Sequence, residues 1–236
     1  MSSAEEVFRQ IETDRAVRER EVRLVGNAAR NASTAAERDM LLRTSVLLTY
    51  AHLEGFCKFA LTAYASAINA MKLPCKEASI ALVAASLTKL FGALRHPQSK
   101  HYFFIRVLPD DAKLHLTARE REFVENLEVA MEARVELPDD VVDTESNLSS
   151  VVLMKNLFKL GLNYPVVETQ SSNINKLLGI RNAIAHGDIL RVPKPDELDD
   201  YVSTAFAVMS FIQREVYDAL NAGTYLRKPA PSPEQP

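Results

Sequence analysis

The segment from residue 37 to residue 73 constrains the fold more than any other part of the chain. Apolar side chains recur there at the three- and four-residue intervals of one helix face, namely at Val46, Tyr50, Leu53, Cys57, Ala60, Leu61, Tyr64, Ile68 and Met71. Pro74 ends the pattern, because a proline cannot continue a helix. Since only several other helices can cover so long a stripe, the segment predicts an all-α bundle.

The same periodicity predicts further helices on both sides of this segment. Ser3 and Glu6 match a capping box, which satisfies the free N–H groups at the start of a helix, and this first helix reaches about residue 31. Ser146 or Asn147 caps a later one, and Pro195 suits the first turn of the last. The remaining predicted helices cover about residues 76–94, 117–134, 147–160, 172–186 and 195–221.

Residues 98–140 interrupt the helical pattern. Within them, residues 101–108 are aromatic and β-branched and are bounded by prolines, a composition typical of a short strand. We predict one domain over residues 1–226, a helical bundle in which 98–140 is an inserted helical or irregular segment with one short strand pair. Residues 227–236 hold four prolines in their last eight positions and are predicted to be a disordered tail.

Composition and motifs exclude several classes of protein. A formal net charge of -3 argues against basic surface all over the molecule. Cys57 and Cys75 form no Cys-x-x-Cys pair, which favours buried thiols in a reducing compartment. The first residues lack a signal peptide, and no apolar run reaches the roughly 18 residues of a membrane span. These features predict a cytoplasmic protein without a membrane partner.

The sequence also contains no motif typical of a metal or cofactor site. The five histidines do not fall at ligand spacing with carboxylates or thiols, so we expect no metal site built by the protein. The chain has no Gly-rich phosphate loop and no Gly-x-Ser-x-Gly elbow. We therefore expect a protein that needs no cofactor.

Arg181 is the residue that the helical pattern does not explain. It falls in the middle of an apolar stripe formed by Ile174, Leu177, Leu178, Ile184 and Ala185. A permanent charge there is costly without a partner, and Glu54, beside the stripe of the long helix, is the expected one. His186 lies about 140° around the helix from Arg181. The two side chains can therefore act together most simply through a second copy of this helix.

The Arg-to-His spacing is weak by itself, because roughly one such pair is expected by chance in every few chains of this size. Arg95 and His101 satisfy a looser version of it, but Pro97 places them in a loop without periodic context. Arg181 and His186 have more support. Asn182 adds a hydrogen-bonding group, and Gly187 is placed as the left-handed residue that ends the helix.

Residues 181–187, RNAIAHG, resemble the Arg-Asn-x-x-x-His signature of the HEPN superfamily, whose helical domains include many metal-independent ribonucleases. Two other segments, 50–56 (YAHLEGF) and 143–148 (DTESNL), look like the MAE-type, RiboL-PSP-HEPN-like branch of HEPN nucleases. Three separated matches in the right order are much more specific than the Arg-to-His spacing.

The resemblance implies a homodimer in which two motifs face each other and form a composite active site for RNA. It assigns His186 as general acid/base at the ribose 2'-hydroxyl, Arg181 as the group that stabilises phosphate charge, and Asn182 as a positioning group. The products would be a 2',3'-cyclic phosphate and a 5'-hydroxyl. The implied role is a toxin or anti-phage effector with an antitoxin or another defence-system partner.

Several alternatives stay open at this point. Lys176 and Arg191, with Lys155, Lys159 and Lys194, lie in segments near the motif and either guide RNA or are solvated helix faces. In a second interpretation, Arg181 and Glu54 form a buried ion pair that only fixes helix register. The protein would then be an inactive HEPN dimer that binds a protein or a nucleotide, or a purely structural adaptor.

Overall fold

The computed structural model describes residues 3–96, 100–104, 111–188 and 190–228, and most of this part of the chain is helical. These ranges form α1 (Ala4–Arg30), α2 (Ala35–Met71), α3 (Ile80–Ser86), α4 (Thr88–Arg95), α5 (Ala112–Glu125), α6 (Leu127–Glu132), α7 (Ser150–Lys159), α8 (Pro165–Thr169), α9 (Ser171–Ala185) and α10 (Pro195–Ala222). Extended pairing within them is limited to isolated bridges, Pro74 with Arg134 and Ala78 with Leu226. The prediction of an all-α bundle is confirmed.

Helix α2 is the centre of the bundle. It packs against α1, α10, α9 and α7, and its predicted stripe is buried from Val46 to Ile68. Thr34 caps its first turn by accepting a hydrogen bond from Glu37 N. At the other end Lys72 adopts a left-handed conformation with φ of 54°, which turns the chain away just before Pro74. None of the helices described is long and apolar enough to cross a membrane.

The turn before α7 differs from the prediction. Its N-cap is Ser149, whose Oγ accepts from Val152 N at 3.2 Å, and neither Ser146 nor Asn147 takes that role. Instead, Glu145 and Ser146 have positive φ values of 49° and 64°. This sharp turn directs Leu148 towards α2, where the candidate site lies.

The region from α3 to α6 also departs from the predicted boundaries. The predicted helix over 76–94 is divided into α3 and α4. Helix α5 begins before the predicted position, because Asp111 Oδ1 accepts from the N–H groups of Lys113 and Leu114. Residues 102–104 form a turn where a strand was predicted, and residues 105–108 lie outside the described residues. Cys75 N donates to Ala133 O at 2.8 Å, which ties the end of α6 to the segment after α2.

The end of the chain lies against the start of this region. Leu226 forms a bridge with Ala78, and Arg227 N donates to Glu77 O at 2.7 Å. Residues 227 and 228 of the predicted tail are therefore described, and residues 229–236 lie outside the described residues.

Candidate active site around Arg181 and His186

Helix α9 holds Arg181 against α2, and an aromatic ring and two amides accommodate its charge. The guanidinium carbon lies 4.7 Å from the centre of the Tyr50 ring, within the range of a cation–π interaction. Its Nη1 donates to Asn147 Oδ1 at 3.1 Å and to Asn182 Oδ1 at 2.8 Å. A half-buried charge within an apolar stripe is thus stabilised without a carboxylate partner.

Part of the guanidinium remains available for a ligand. Arginine carries five N–H donors, and the two on Nη1 are used by the amides of Asn147 and Asn182. No acceptor for Nη2 or Nε of Arg181 lies among the residues that the structure describes. Three donors in a planar fork therefore remain, which is the geometry that binds phosphate oxygens.

The prediction of an ion pair between Arg181 and Glu54 was wrong. No ion pair within 4.0 Å joins the two side chains in the described part of the chain. Glu54 lies one turn after Tyr50 on α2. Burial raises the pKa of the Tyr50 phenol, the negative charge of Glu54 raises it further, and Arg181 lowers it. The charges of Glu54 and Arg181 therefore act on the same phenol, with opposite effects on its pKa.

Tyr50 also fixes the turn that carries Asn147. Its side chain is 1% exposed, and its hydroxyl accepts a hydrogen bond from Leu148 N at 2.6 Å. One residue before Leu148, the Asn147 amide accepts from Arg181. Tyr50 thus positions Arg181 twice, through its ring and through the backbone of this turn.

The structure brings together the three segments that carry the HEPN resemblance. Tyr50 comes from residues 50–56, Asn147 from 143–148 and Arg181 from 181–187. Sequence reasoning assigned Tyr50 only to the core and gave Asn147 only a capping role. The signal that could have identified both was their presence in the two additional matching segments.

His186 lies at the exposed end of α9. It is the C-cap residue, and its backbone N–H donates to Asn182 O at 2.9 Å. Gly187 has φ of 93°, and Asp188 N donates to Ala183 O at 3.0 Å, so the helix closes directly after the imidazole. Within the described ranges the His186 side chain has no hydrogen-bond partner, and it forms no hydrogen bond with Arg181.

Lys176 and Arg191, the two proposed RNA contacts, line one cavity of about 370 Å³ beside α9. A larger cavity of about 1300 Å³ lies away from the motif, between α3, α7 and residues 161–168. Lys159 and Arg95 line that larger cavity, whereas Lys155 donates to Glu145 at 2.7 Å. His101 Nε2 lies 3.2 Å from Glu122 Oε2, and His101 does not line the cavity that Arg95 lines.

The described residues contain no group of three or more His, Cys, Asp or Glu side chains arranged to hold a metal ion. A family model, RiboL-PSP-HEPN, matches residues 13–218. The match includes the three segments that meet at Arg181. No curated protein and no solved structure matches the chain.

Proposed function

The chain belongs to the RiboL-PSP-HEPN family, and we propose that it is a metal-independent endoribonuclease. The observation that supports this function best is the state of the Arg181 guanidinium. Tyr50 and two amides hold it in place, while no described residue occupies its Nη2 and Nε edges, which can therefore bind a phosphate. A fixed cation with unused donors stabilises charge that develops on a transferring phosphoryl group.

The reaction that suits these groups is attack by the ribose 2'-hydroxyl on the adjacent phosphorus. A neutral His186 imidazole removes the 2'-hydroxyl proton as the new bond from O2' to phosphorus forms. The bond from phosphorus to O5' then breaks, and an imidazolium donates the proton that O5' requires. The products are a 2',3'-cyclic phosphate and a 5'-hydroxyl, and Arg181 stabilises the non-bridging oxygens between these states.

Asn182 acts through Arg181 in this scheme. Its Oδ1 accepts from Arg181 Nη1 at 2.8 Å, and its carbonyl accepts from His186 N at 2.9 Å. The residue therefore holds both ends of the motif at once. Glu54 supports the site more remotely, through its electrostatic effect on Tyr50.

We propose that the active site is completed by a homodimer. One chain presents a single exposed His186 at the end of α9, without a hydrogen bond to Arg181 among the described residues, whereas the reaction needs a base and an acid near the same phosphate. Two copies with their α9 C-terminal ends together supply two guanidinium groups and two imidazoles. One imidazole then acts as the base and the other, protonated, as the acid.

The cellular role that we propose is that of a toxin or anti-phage effector, held in check by an antitoxin or another defence-system protein. The free, buried thiols of Cys57 and Cys75 support a reducing compartment such as the cytoplasm. Lys176 and Arg191, on the cavity beside α9, are proposed to contact the RNA.

The test compares wild type, His186→Ala and Arg181→Ala on total cellular RNA in the presence of EDTA. Folding and dimer formation are first confirmed for each protein by circular dichroism and sedimentation. His96→Ala is a matched control, because His96 is also an exposed C-cap histidine, at the end of α4. We expect cleavage by wild type and by the control alone. Equal cleavage by all four proteins, or no cleavage by any of them, would show that Arg181 and His186 do not catalyse RNA cleavage.

The alternative function is a catalytically inactive HEPN dimer that binds a protein or a nucleotide. The observation that favours it is the contact of Arg181 with Tyr50 and Asn147, because these contacts join three segments of the bundle and require no catalysis. In that case Arg181→Ala would lower stability, and no protein in the series would cleave RNA.

A further inference from the structure

The cavity of about 370 Å³ beside α9 has a lining that no catalytic step uses. It lies between α9, the link after that helix and the first turns of α10. Its lining residues are Asn173, Lys176, Gly179, Ile180, Arg191, Glu197, Asp200 and Tyr201. The volume falls within the range of small-ligand sites in proteins.

Charges of both signs line this cavity without neutralising one another. Within the described ranges, no ion pair within 4.0 Å joins Lys176 or Arg191 to Glu197 or Asp200. Glu197 Oε2 accepts from Lys194 N at 2.9 Å, which holds that carboxylate at the start of α10. The Asp200 carboxylate has no such backbone partner in the described part and remains free at both oxygens. A ligand with donors on one edge and acceptors on another would satisfy both sets.

Tyr201 adds a neutral polar group to the same cavity. The residue is 6% exposed, and its hydroxyl, which reaches solvent, has no hydrogen-bond partner among the described residues. Burial raises the pKa of this phenol, Glu197 and Asp200 raise it further, and Arg191 lowers it. The hydroxyl thus stays protonated close to these charges and can donate or accept a hydrogen bond.

The cavity is continuous with the helix face that leads to His186. Gly179, on its wall, precedes His186 by seven residues, which is about 10 Å along a helix axis and nearly the same direction around it. A Cβ atom added at Gly179 would meet nothing within 4 Å. The helix is therefore open to a ligand at Gly179, on the face that leads to the imidazole.

We propose that this cavity binds a guanine base of the RNA strand whose phosphate lies at Arg181 and His186, an assignment that rests on the proposed function. Guanine presents two adjacent donors, N1–H and the N2 amino group, which the two oxygens of Asp200 accept. Its O6 and N7 accept from Arg191 and Lys176, the pairing by which basic side chains read guanine. A phosphate alone would be repelled by the two carboxylates, and adenine, cytosine and uracil lack the paired donors.

The test is calorimetric titration of the full-length wild-type protein with GMP, AMP, CMP and UMP, each used separately. We expect GMP to bind about tenfold or more tightly than the others, since one bidentate contact discriminates between bases by that order. Asp200→Asn should abolish the preference, because one carboxylate oxygen becomes a donor. Asp196→Asn is the matched control, an exposed residue of the same helix turn that does not line the cavity.

Equal binding of the four nucleotides, or a guanine preference that survives Asp200→Asn, would overturn the assignment. Asp200 is exposed, so the variant should fold, and a thermal melt verifies this. The titration requires no cleavage. A protein that binds GMP selectively through Asp200 but leaves RNA intact would retain the guanine site and refute only the nuclease proposal.

Discussion

Tyr50→Phe is the substitution that tests most sharply how Arg181 is held. The change removes the hydroxyl that accepts from Leu148 N at 2.6 Å and keeps the aromatic ring over which the Arg181 guanidinium lies. The cation–π contact at 4.7 Å therefore remains, and the measured effect reports the hydrogen bond alone.

The magnitude follows from burial. Tyr50 and Leu148 are each 1% exposed, so water cannot easily replace the lost acceptor. A buried N–H group left without a partner costs about 1–3 kcal/mol. For a domain of this size each kcal/mol lowers the melting temperature by about 2–4 °C. We expect a fall of several degrees and weaker RNA cleavage, because the turn that carries Asn147 loses its anchor.

The assay is urea denaturation followed by circular dichroism, with Tyr217→Phe as the matched control. Tyr217 packs its ring against Phe8, and its hydroxyl has no hydrogen-bond partner among the described residues. We expect the control to stay within about 0.5 kcal/mol of wild type. If Tyr50→Phe were as harmless as the control, the hydrogen bond to Leu148 would not anchor the turn.

Three further predictions concern single features of the molecule. Glu54→Gln should change the free energy of unfolding by about 0.5 kcal/mol or less, because no ion pair joins Glu54 to Arg181 in the described structure. A loss of about 3 kcal/mol or more would instead indicate a buried ion pair between these two residues. Gly187→Ala should lower the melting temperature through a backbone strain of about 1–2 kcal/mol, since φ is 93°, and an unchanged melting temperature would contradict the left-handed turn. Burial raises the pKa of the Cys57 thiol above its ordinary value of 9.0, so the unfolded chain releases this proton first as pH rises. Stability should therefore begin to fall as pH rises through about 9 and should keep falling at higher pH, and a flat profile in urea denaturation would argue against a buried thiol.

The central helix was predictable because its signals are local. The stripe and Pro74 predicted a helix over residues 37–73, and the structure places it at Ala35–Met71. The division between α3 and α4 carries no such signal, since neither proline nor glycine marks it. Periodicity alone therefore predicted one helix where the chain forms two.

The candidate site was predictable only in part. The misplaced charge in an apolar stripe identified Arg181 from the sequence, but its partners did not follow from helical spacing. Asn147 reaches Arg181 from a turn in which Glu145 and Ser146 adopt left-handed backbone conformations. Residues other than glycine seldom do so, and no local rule predicts it. The sequence favoured the carboxylate of Glu54 as the partner of Arg181, whereas in the structure the guanidinium lies over the Tyr50 ring.

The measurement that tests the central claim most directly uses a defined RNA oligonucleotide containing a site that wild type cleaves. A matched oligonucleotide carries 2'-deoxyribose at the nucleotide 5' of the scissile bond, and both are incubated with wild type in EDTA. We predict that the all-ribose strand is cut to a 2',3'-cyclic phosphate end and that the substituted strand stays intact. Cleavage of both strands would contradict attack by the 2'-hydroxyl, and loss of all cleavage in EDTA would contradict a reaction that needs no metal ion.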